Sequence, residues 1–84
     1  MNNYFATVGN DNFIAINKVT AIFKTESLST KKKIRKLKEI GVLLDATCGK
    51  KARSLIFLED GSAVLSMMNP ETISKRLTVK KWHW

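Results

Sequence analysis

Short apolar segments typical of strands recur along this chain. Residues 13–16 and 19–23 are rich in β-branched and aromatic side chains, and the Asn17-Lys18 pair between them indicates a short turn. Residues 42–47 begin with three aliphatic side chains and are predicted to form a further strand. The pattern therefore predicts at least two strands in the first third of the chain and one near its middle.

A different period governs residues 30–40. Ile34, Leu37 and Ile40 recur at every third position, which predicts a helix that turns one apolar face towards a core. Gly41 follows at the position where a helix commonly ends. Three residues before the apolar repeat are candidate N-caps of this helix: Ser27, Ser29 and Thr30.

The last third of the chain predicts a hairpin and a second helix. Residues 53–59 and 62–68 alternate well enough to be paired strands, with Asp60-Gly61 as a strong turn signal between them. Asn69 is then expected to cap a short helix that has Pro70 in its first position and ends near Leu77. The predicted order is ββαβββα. This order indicates an α+β domain with a mostly antiparallel sheet of short strands and two helices.

Size and composition favour one small domain. We expect a single domain over residues 1–84, with its core at about 8–77 and a C-terminal tail at 78–84, because 84 residues are too few for two domains and no linker interrupts them. The single cysteine cannot form an intramolecular disulfide. No apolar run approaches the length of a membrane span, and the N-terminus lacks a secretion signal, so the predicted location is the cytoplasm.

Positive charge is concentrated in one part of the chain. The segment from Lys31 to Arg53 contains nine basic and two acidic residues, which gives it +7 of the chain's net charge of +8. The nine basic residues are Lys31, Lys32, Lys33, Arg35, Lys36, Lys38, Lys50, Lys51 and Arg53. A field of this kind attracts polyanions, nucleic acid first and an anionic membrane second.

The predicted first helix carries most of this charge opposite its apolar face. Like charges this close repel one another, so such a face more often has a polyanion to meet than a face of mixed sign does. Simple solvation of the face and contact with a membrane surface remain alternatives. The membrane is disfavoured because the short apolar arc is needed for the core. Aromatic residues do not interleave with the charges, which favours duplex DNA over single strands.

Catalytic chemistry has little support in the sequence. Cys48 and His83 form a thiol–imidazole pair only on paper, because His83 is next to last in the chain, and a small, half-buried Cys48 before a turn is the simpler interpretation. Gly49-Lys50 lacks the remaining residues of a phosphate-binding loop. Asp45 and Asp60 have structural explanations at a strand end and a turn. We expect no enzyme activity, no cofactor, no metal and no small-molecule substrate.

Three blocks of the chain resemble the RemA family of bacterial extracellular-matrix (biofilm) regulators. The stretch from Asp45 to Arg53, DATCGKKAR, is similar to that family's DAT-x-G-R-R-T-R signature. Val64-Leu65-Ser66 and the Pro70-Glu71-Thr72 block with a downstream Arg76 are similar to its ILS and PET…R motifs at matching spacing. Asn17-Lys18 stands where the family has Asn-Arg. The resemblance extends from about residue 8 to residue 77.

The resemblance implies a DNA-binding regulator of transcription that assembles into a homo-oligomeric ring. Its implied partners are duplex DNA and further copies of itself, and extracellular-matrix genes are its implied targets. The family's DNA-contacting positions correspond here to Lys18, Lys32, Lys50 and Lys51, and Arg53 matches a further family arginine. The alternative function is a basic oligomeric scaffold that binds RNA or an acidic protein.

Several positions depart from the family pattern. Lysine replaces arginine at all four of the carried-over DNA-contacting positions, which predicts contact mainly with phosphates and weak sequence discrimination. Cys48 replaces a tyrosine, and the prolines common before the first helix are missing around Thr25 and Ser29. The tail Trp82-His83-Trp84 matches nothing in the family. Its tryptophans are expected either to pack on a neighbouring subunit or to lie loose.

Overall fold

A computed structural model describes residues 5–77, and these residues form nine short elements. In chain order they are β1 (Phe5–Gly9), β2 (Asn12–Ala15), a 3₁₀ turn (Ile16–Lys18), β3 (Val19–Lys24), α1 (Leu28–Glu39), β4 (Leu43–Asp45), β5 (Ser54–Leu58), β6 (Ala63–Ser66) and α2 (Pro70–Leu77). The α+β class, the two helices and the mostly antiparallel pairing are confirmed. Within this part of the chain no helix is long and apolar enough to cross a bilayer.

Four strands form the main sheet in the order β3-β5-β6-β4. β5 and β6 are the predicted hairpin around Asp60-Gly61, with Leu55 opposite Leu65. β4 pairs with β6 in parallel, which is the one parallel ladder among the described strands. Two non-local pairings thus place β3 and β4 at opposite edges of the sheet.

The central strands are buried on both faces. Ile56 and Val64 face one core, which also contains residues of β1, β2 and α2. Leu55 and Leu65 face a second core, which is closed by Leu37 of α1. Each strand therefore reads as a nearly continuous apolar run, because alternate side chains enter different cores. The result is three layers: α1, the sheet, and the β1–β2 hairpin together with α2.

Helix α1 begins two residues earlier than the periodicity predicts. Ser27, one of the three candidate caps, accepts a hydrogen bond from the Thr30 amide at 3.2 Å. Leu37 is buried, but Ile40 is 60% exposed, so the prediction that Ile40 belongs to the core face is wrong. The helix ends at Glu39, and Ile40 has the φ of −90° and ψ of 0° of a C-cap. A helical wheel no longer describes its direction there.

The N-terminal hairpin contains a strand that the hydrophobic pattern missed. β1 pairs with β2 through a turn in which Asn10 and Asp11 have φ of 54° and 61°. Two consecutive positive φ values are typical of a type I′ hairpin turn, and Asn and Asp tolerate them. The Asn17-Lys18 turn is the end of the 3₁₀ turn, and the strands on either side of it lie in different sheets.

Candidate nucleic-acid interface

Helix α1 presents a cationic surface away from the sheet. Its six basic side chains are all exposed: Lys31, Lys32, Lys33, Arg35, Lys36 and Lys38. The opposite side of the helix carries the buried Leu37 and Thr30 and the half-buried Ile34. The prediction of one core face and one cationic face is therefore confirmed for the body of the helix, and Lys32 is available to a partner.

The loop after β4 has a defined local structure. The Asp45 carboxylate accepts hydrogen bonds from the amide of Thr47, at 2.9 Å, and from its hydroxyl. Cys48 and Gly49 then adopt φ of 51° and 81°, and the Lys50 amide donates to the Thr47 carbonyl at 3.0 Å. Two successive left-handed residues reverse the chain, so that Lys50 and Lys51 lie exposed beyond the turn. Cys48 is also exposed, which corrects the expectation of a half-buried side chain.

Backbone hydrogen bonds fix the chain that follows these lysines. The Arg53 amide donates to the Ser66 carbonyl at 2.8 Å, and the Thr25 hydroxyl donates to the Ala52 carbonyl at 2.8 Å. The β3–β5 register places Lys24 opposite Ser54, the residue after Arg53. Lys24, from the first third of the chain, is thereby placed beside the basic loop in the middle third.

Four cations converge at this end of the sheet. Lys24, Lys51 and Arg53 line a cleft of about 160 Å³ beside the start of α2. Lys51 also lines a neighbouring cleft with Lys31, beside the start of α1. None of these four side chains forms an ion pair with another residue of the described chain. We refer to Lys24, Lys31, Lys51 and Arg53 as the cation cluster.

Sequence reasoning selected only two members of this cluster as site residues. Lys31 belongs to the predicted basic face of the helix but not to the predicted contact residues, and its position in the first turn of α1 brings it beside the loop. Lys24 belongs to no sequence motif, and only the pairing register of β3 and β5 shows that it lies in the cluster. Two carboxylates, Glu26 and Glu71, line the same clefts, so the local field is positive but not purely cationic.

Lys18 lies apart from the other selected residues. It precedes Val19, which pairs with Leu58 at the far end of β5 from Arg53. The six steps along the chain from Arg53 to Glu59 span roughly 20 Å at about 3.3 Å per residue. Lys18 and the cation cluster therefore cannot contact the same phosphate.

The carboxylates that sequence analysis weighed for catalysis are occupied in turns. The Thr47 hydroxyl, and then the Thr47 amide, hold the pKa of Asp45 below its usual range. The Ser62 hydroxyl and amide lower the pKa of Asp60 in the same way. Among residues 5–77 no group of three or more His, Cys, Asp and Glu side chains is placed to hold a metal ion. His83 and the Trp82-His83-Trp84 tail lie outside the described residues.

Comparison with known proteins assigns the chain to a family. A family model described as extracellular matrix regulatory protein A-like, or RemA-like, matches residues 5–77. The chain belongs to the RemA-like family. It is also 39% identical over 77 residues to proteins of Bacillus cytotoxicus, Bacillus mycoides and Bacillus cereus that are named as regulatory proteins. Each match covers 92% of this chain and 88% of the relative.

The RemA-like motifs have structural explanations in this chain. Asp45 and Thr47 of the first block close the turn that precedes the basic loop. Ser66 of the second block is fully buried and connects β6 to the N-terminal hairpin, because its hydroxyl donates to the Val8 carbonyl at 2.7 Å. Pro70 of the third block begins α2. These motif residues build the scaffold around the basic loop.

Proposed function

We propose that this RemA-like protein is a cytoplasmic regulator of transcription that binds duplex DNA with modest sequence preference. It acts as a ring-shaped homo-oligomer through repeated lysine-rich surfaces, and its targets are extracellular-matrix genes. The family membership and the names of the Bacillus relatives support a regulatory role. The remaining terms are our proposal.

One observation carries the proposal of DNA binding. The cation cluster and the exposed face of α1 form a positive surface whose cluster members have no ion-pair partner in the described chain. Repulsion between these cations costs free energy that Glu26 and Glu71 relieve only in part, and an anion of high charge density offsets that cost. Duplex DNA, with one charge per ~1.7 Å of helix axis, is such an anion.

The use of lysine in place of arginine determines which groups of the DNA this surface would contact. A lysine ammonium is a point charge, whereas arginine offers a planar fork for bidentate contact with guanine or phosphate. Lys18, Lys32, Lys50 and Lys51 are therefore expected to contact phosphates and to fix position and orientation, with Arg53 as the one candidate for a bidentate contact. Binding should depend strongly on salt and weakly on sequence.

Two features support assembly of several copies. The outer strands β3 and β4 each pair on only one side within the described chain, which leaves two different edges for neighbours. Contacts between two different surfaces are of the kind that close into rings. Phe13 and Leu44, both more than 60% exposed, border one cleft beside β4 and supply apolar area there.

Titration of labelled duplex DNA, matched single-stranded DNA and structured RNA at several salt concentrations tests the proposal. For duplex DNA the logarithm of affinity should fall with the logarithm of salt by about 0.9 per phosphate neutralised. We expect a preference for the duplex and a slope steeper than about −4, because several subunits engage at once. Tighter binding to structured RNA would instead favour the scaffold function.

The joint substitution Lys50→Ala and Lys51→Ala should abolish duplex binding without dissociating the oligomer, as measured by light scattering after size exclusion. The joint substitution Lys36→Ala and Lys38→Ala removes the same charge from the opposite end of α1 and should weaken binding far less. Equal losses in the two double variants, or an unchanged salt slope in the first, would contradict the assignment of the basic loop.

A further inference from the structure

Lys18 is the one residue among the selected cations that forms an ion pair within the described chain. Its Nζ lies 2.9 Å from Oε1 of Glu59, and each side chain is 53% exposed. The Glu59 amide also donates to the Lys18 carbonyl at 2.8 Å, directly beside the Val19–Leu58 pair. Backbone hydrogen bonding therefore keeps Lys18 and Glu59 next to each other whether or not their side chains form the ion pair.

A second carboxylate lies at the same place. Asp60 follows Glu59, and Lys18, Glu59 and Asp60 line one shallow cleft with Leu58. Hydrogen bonds from Ser62 lower the pKa of Asp60, and the positive charge of Lys18 adds a smaller effect in the same direction. A phosphate that approaches Lys18 therefore meets an existing ion pair with a second acid beside it. Glu26 and Glu71 line the clefts of the cation cluster but form no ion pair with it in the described chain.

We infer that Glu59 competes with DNA phosphate for the Lys18 ammonium, so that Lys18 contacts DNA only when the Lys18–Glu59 ion pair opens. This inference rests on the proposed DNA binding and assigns Glu59 as a residue that tunes it. An exposed ion pair is weak, so the competition is graded and does not lock the protein in an inactive state. Glu59 thus lowers affinity at low salt, where Lys18 would otherwise add its own phosphate contact.

The size of the effect follows from counterion release. One added phosphate contact steepens the salt slope by about 0.9, which corresponds to about a 3.5-fold change in affinity between 50 and 200 mM salt. Glu59→Gln keeps the shape of the side chain and removes its charge. We expect this variant to bind duplex DNA roughly three- to tenfold more tightly at low salt, with a steeper slope. An oligomer that binds DNA through several subunits at once multiplies this change in affinity.

A double-mutant cycle separates this competition from a general loss of negative charge. Glu59→Gln is measured in the parent and in Lys18→Met, where it should change affinity less than about twofold. Glu39→Gln is the matched control, because Glu39 is an exposed acid on α1 with no ion pair to Lys18. Its effect should be the same in both backgrounds. Lys18→Gln replaces Lys18→Met if the apolar side chain impairs folding, which far-UV circular dichroism and thermal melting check for every variant.

Each outcome is informative. Tighter binding by Glu59→Gln that disappears without Lys18 supports the inference, and so does binding by Glu59→Gln when the parent does not bind. Equal effects with and without Lys18, or no effect in a parent that does bind, overturn the inference and leave the proposed function standing. Absence of duplex binding by both the parent and Glu59→Gln at low salt overturns both.

Discussion

The buried hydroxyl of Ser66 is expected to be one of the most sensitive sites in the described chain. Ser66 is fully buried, and its hydroxyl donates to the Val8 carbonyl at 2.7 Å and accepts from the Met68 amide at 3.0 Å. It therefore connects three segments: the N-terminal hairpin, β6 and the approach to α2. Ser66→Ala keeps the volume nearly constant and removes both bonds. The carbonyl of the buried Val8 and the amide of the half-buried Met68 then lose this partner.

The expected cost follows from these two groups. A buried donor or acceptor left without a partner costs about 1–3 kcal/mol, so Ser66→Ala should lower the free energy of unfolding by roughly 2–4 kcal/mol. For a domain of this size that corresponds to a fall in Tm of about 8 °C or more. Urea unfolding followed by circular dichroism measures the change. Parent and variant are compared at equal protein concentration, because assembly couples stability to concentration.

Ser29→Ala provides the matched control for this measurement. Ser29 lies exposed in the first turn of α1, so the same substitution there should change stability by no more than about 0.5 kcal/mol. Ser66→Ala within about 0.5 kcal/mol of the parent would refute the reasoning, because it would mean that the two freed groups find other partners at no cost.

Two further predictions concern the basic loop and its surroundings. Because hydrogen bonds from Thr47 lower the folded-state pKa of Asp45, the ionised carboxylate stabilises the fold above its ordinary pKa of about 3.9, and this contribution is lost as pH falls through the lowered value. Asp45→Asn keeps a hydrogen-bond acceptor but does not titrate, so the Tm of this variant should fall less on acidification than the Tm of the parent. Asp60 still titrates in both proteins. Identical profiles of Tm against pH would contradict this prediction. Lys24→Met should make the salt slope for duplex DNA shallower by about 0.9 per engaged subunit, while Lys75→Met, on α2 outside the two clefts of the cation cluster, should leave it unchanged.

Local chemistry made several elements predictable from the sequence. The Asp60-Gly61 hairpin and the start of α2 at Pro70 depend on residues within a few positions of one another, and the structure has both. Gly41 ends α1 with a φ of 77°, as a glycine after the last turn should. Signals of this kind are carried by the conformational preferences of single residues, so one sequence is enough to read them.

The pairing of strands that are distant in the sequence cannot be predicted from such local preferences. β3 pairs with β5 across thirty or more residues, and no local pattern states that partner or its register. Lys24 was overlooked for this reason, because only the register brings it beside Arg53. The strand β1 was overlooked although Asn10-Asp11 is a readable turn signal, since its apolar residues are few and small. The prediction for Ile40 is wrong because α1 ends at Glu39, so the helical period no longer sets the direction of the Ile40 side chain.

The charge at the start of α1 favours phosphate contact at this end of the molecule. The unpaired amides of a helix N-terminus carry a partial positive charge that favours acidic side chains, yet the first turn of α1 contains none. Lys31 lies there instead, Lys32 and Lys33 follow in the next turn, and Lys51 adds a fourth charge across the adjoining cleft. Lys31 is unfavourable there because of the helix dipole, and repulsion between neighbouring lysines adds a few tenths of a kcal/mol per pair. A bound phosphate would be attracted to the helix N-terminus and to each of these lysines, so we expect an anion to gain more free energy here than at Lys18, where Glu59 already supplies the negative charge.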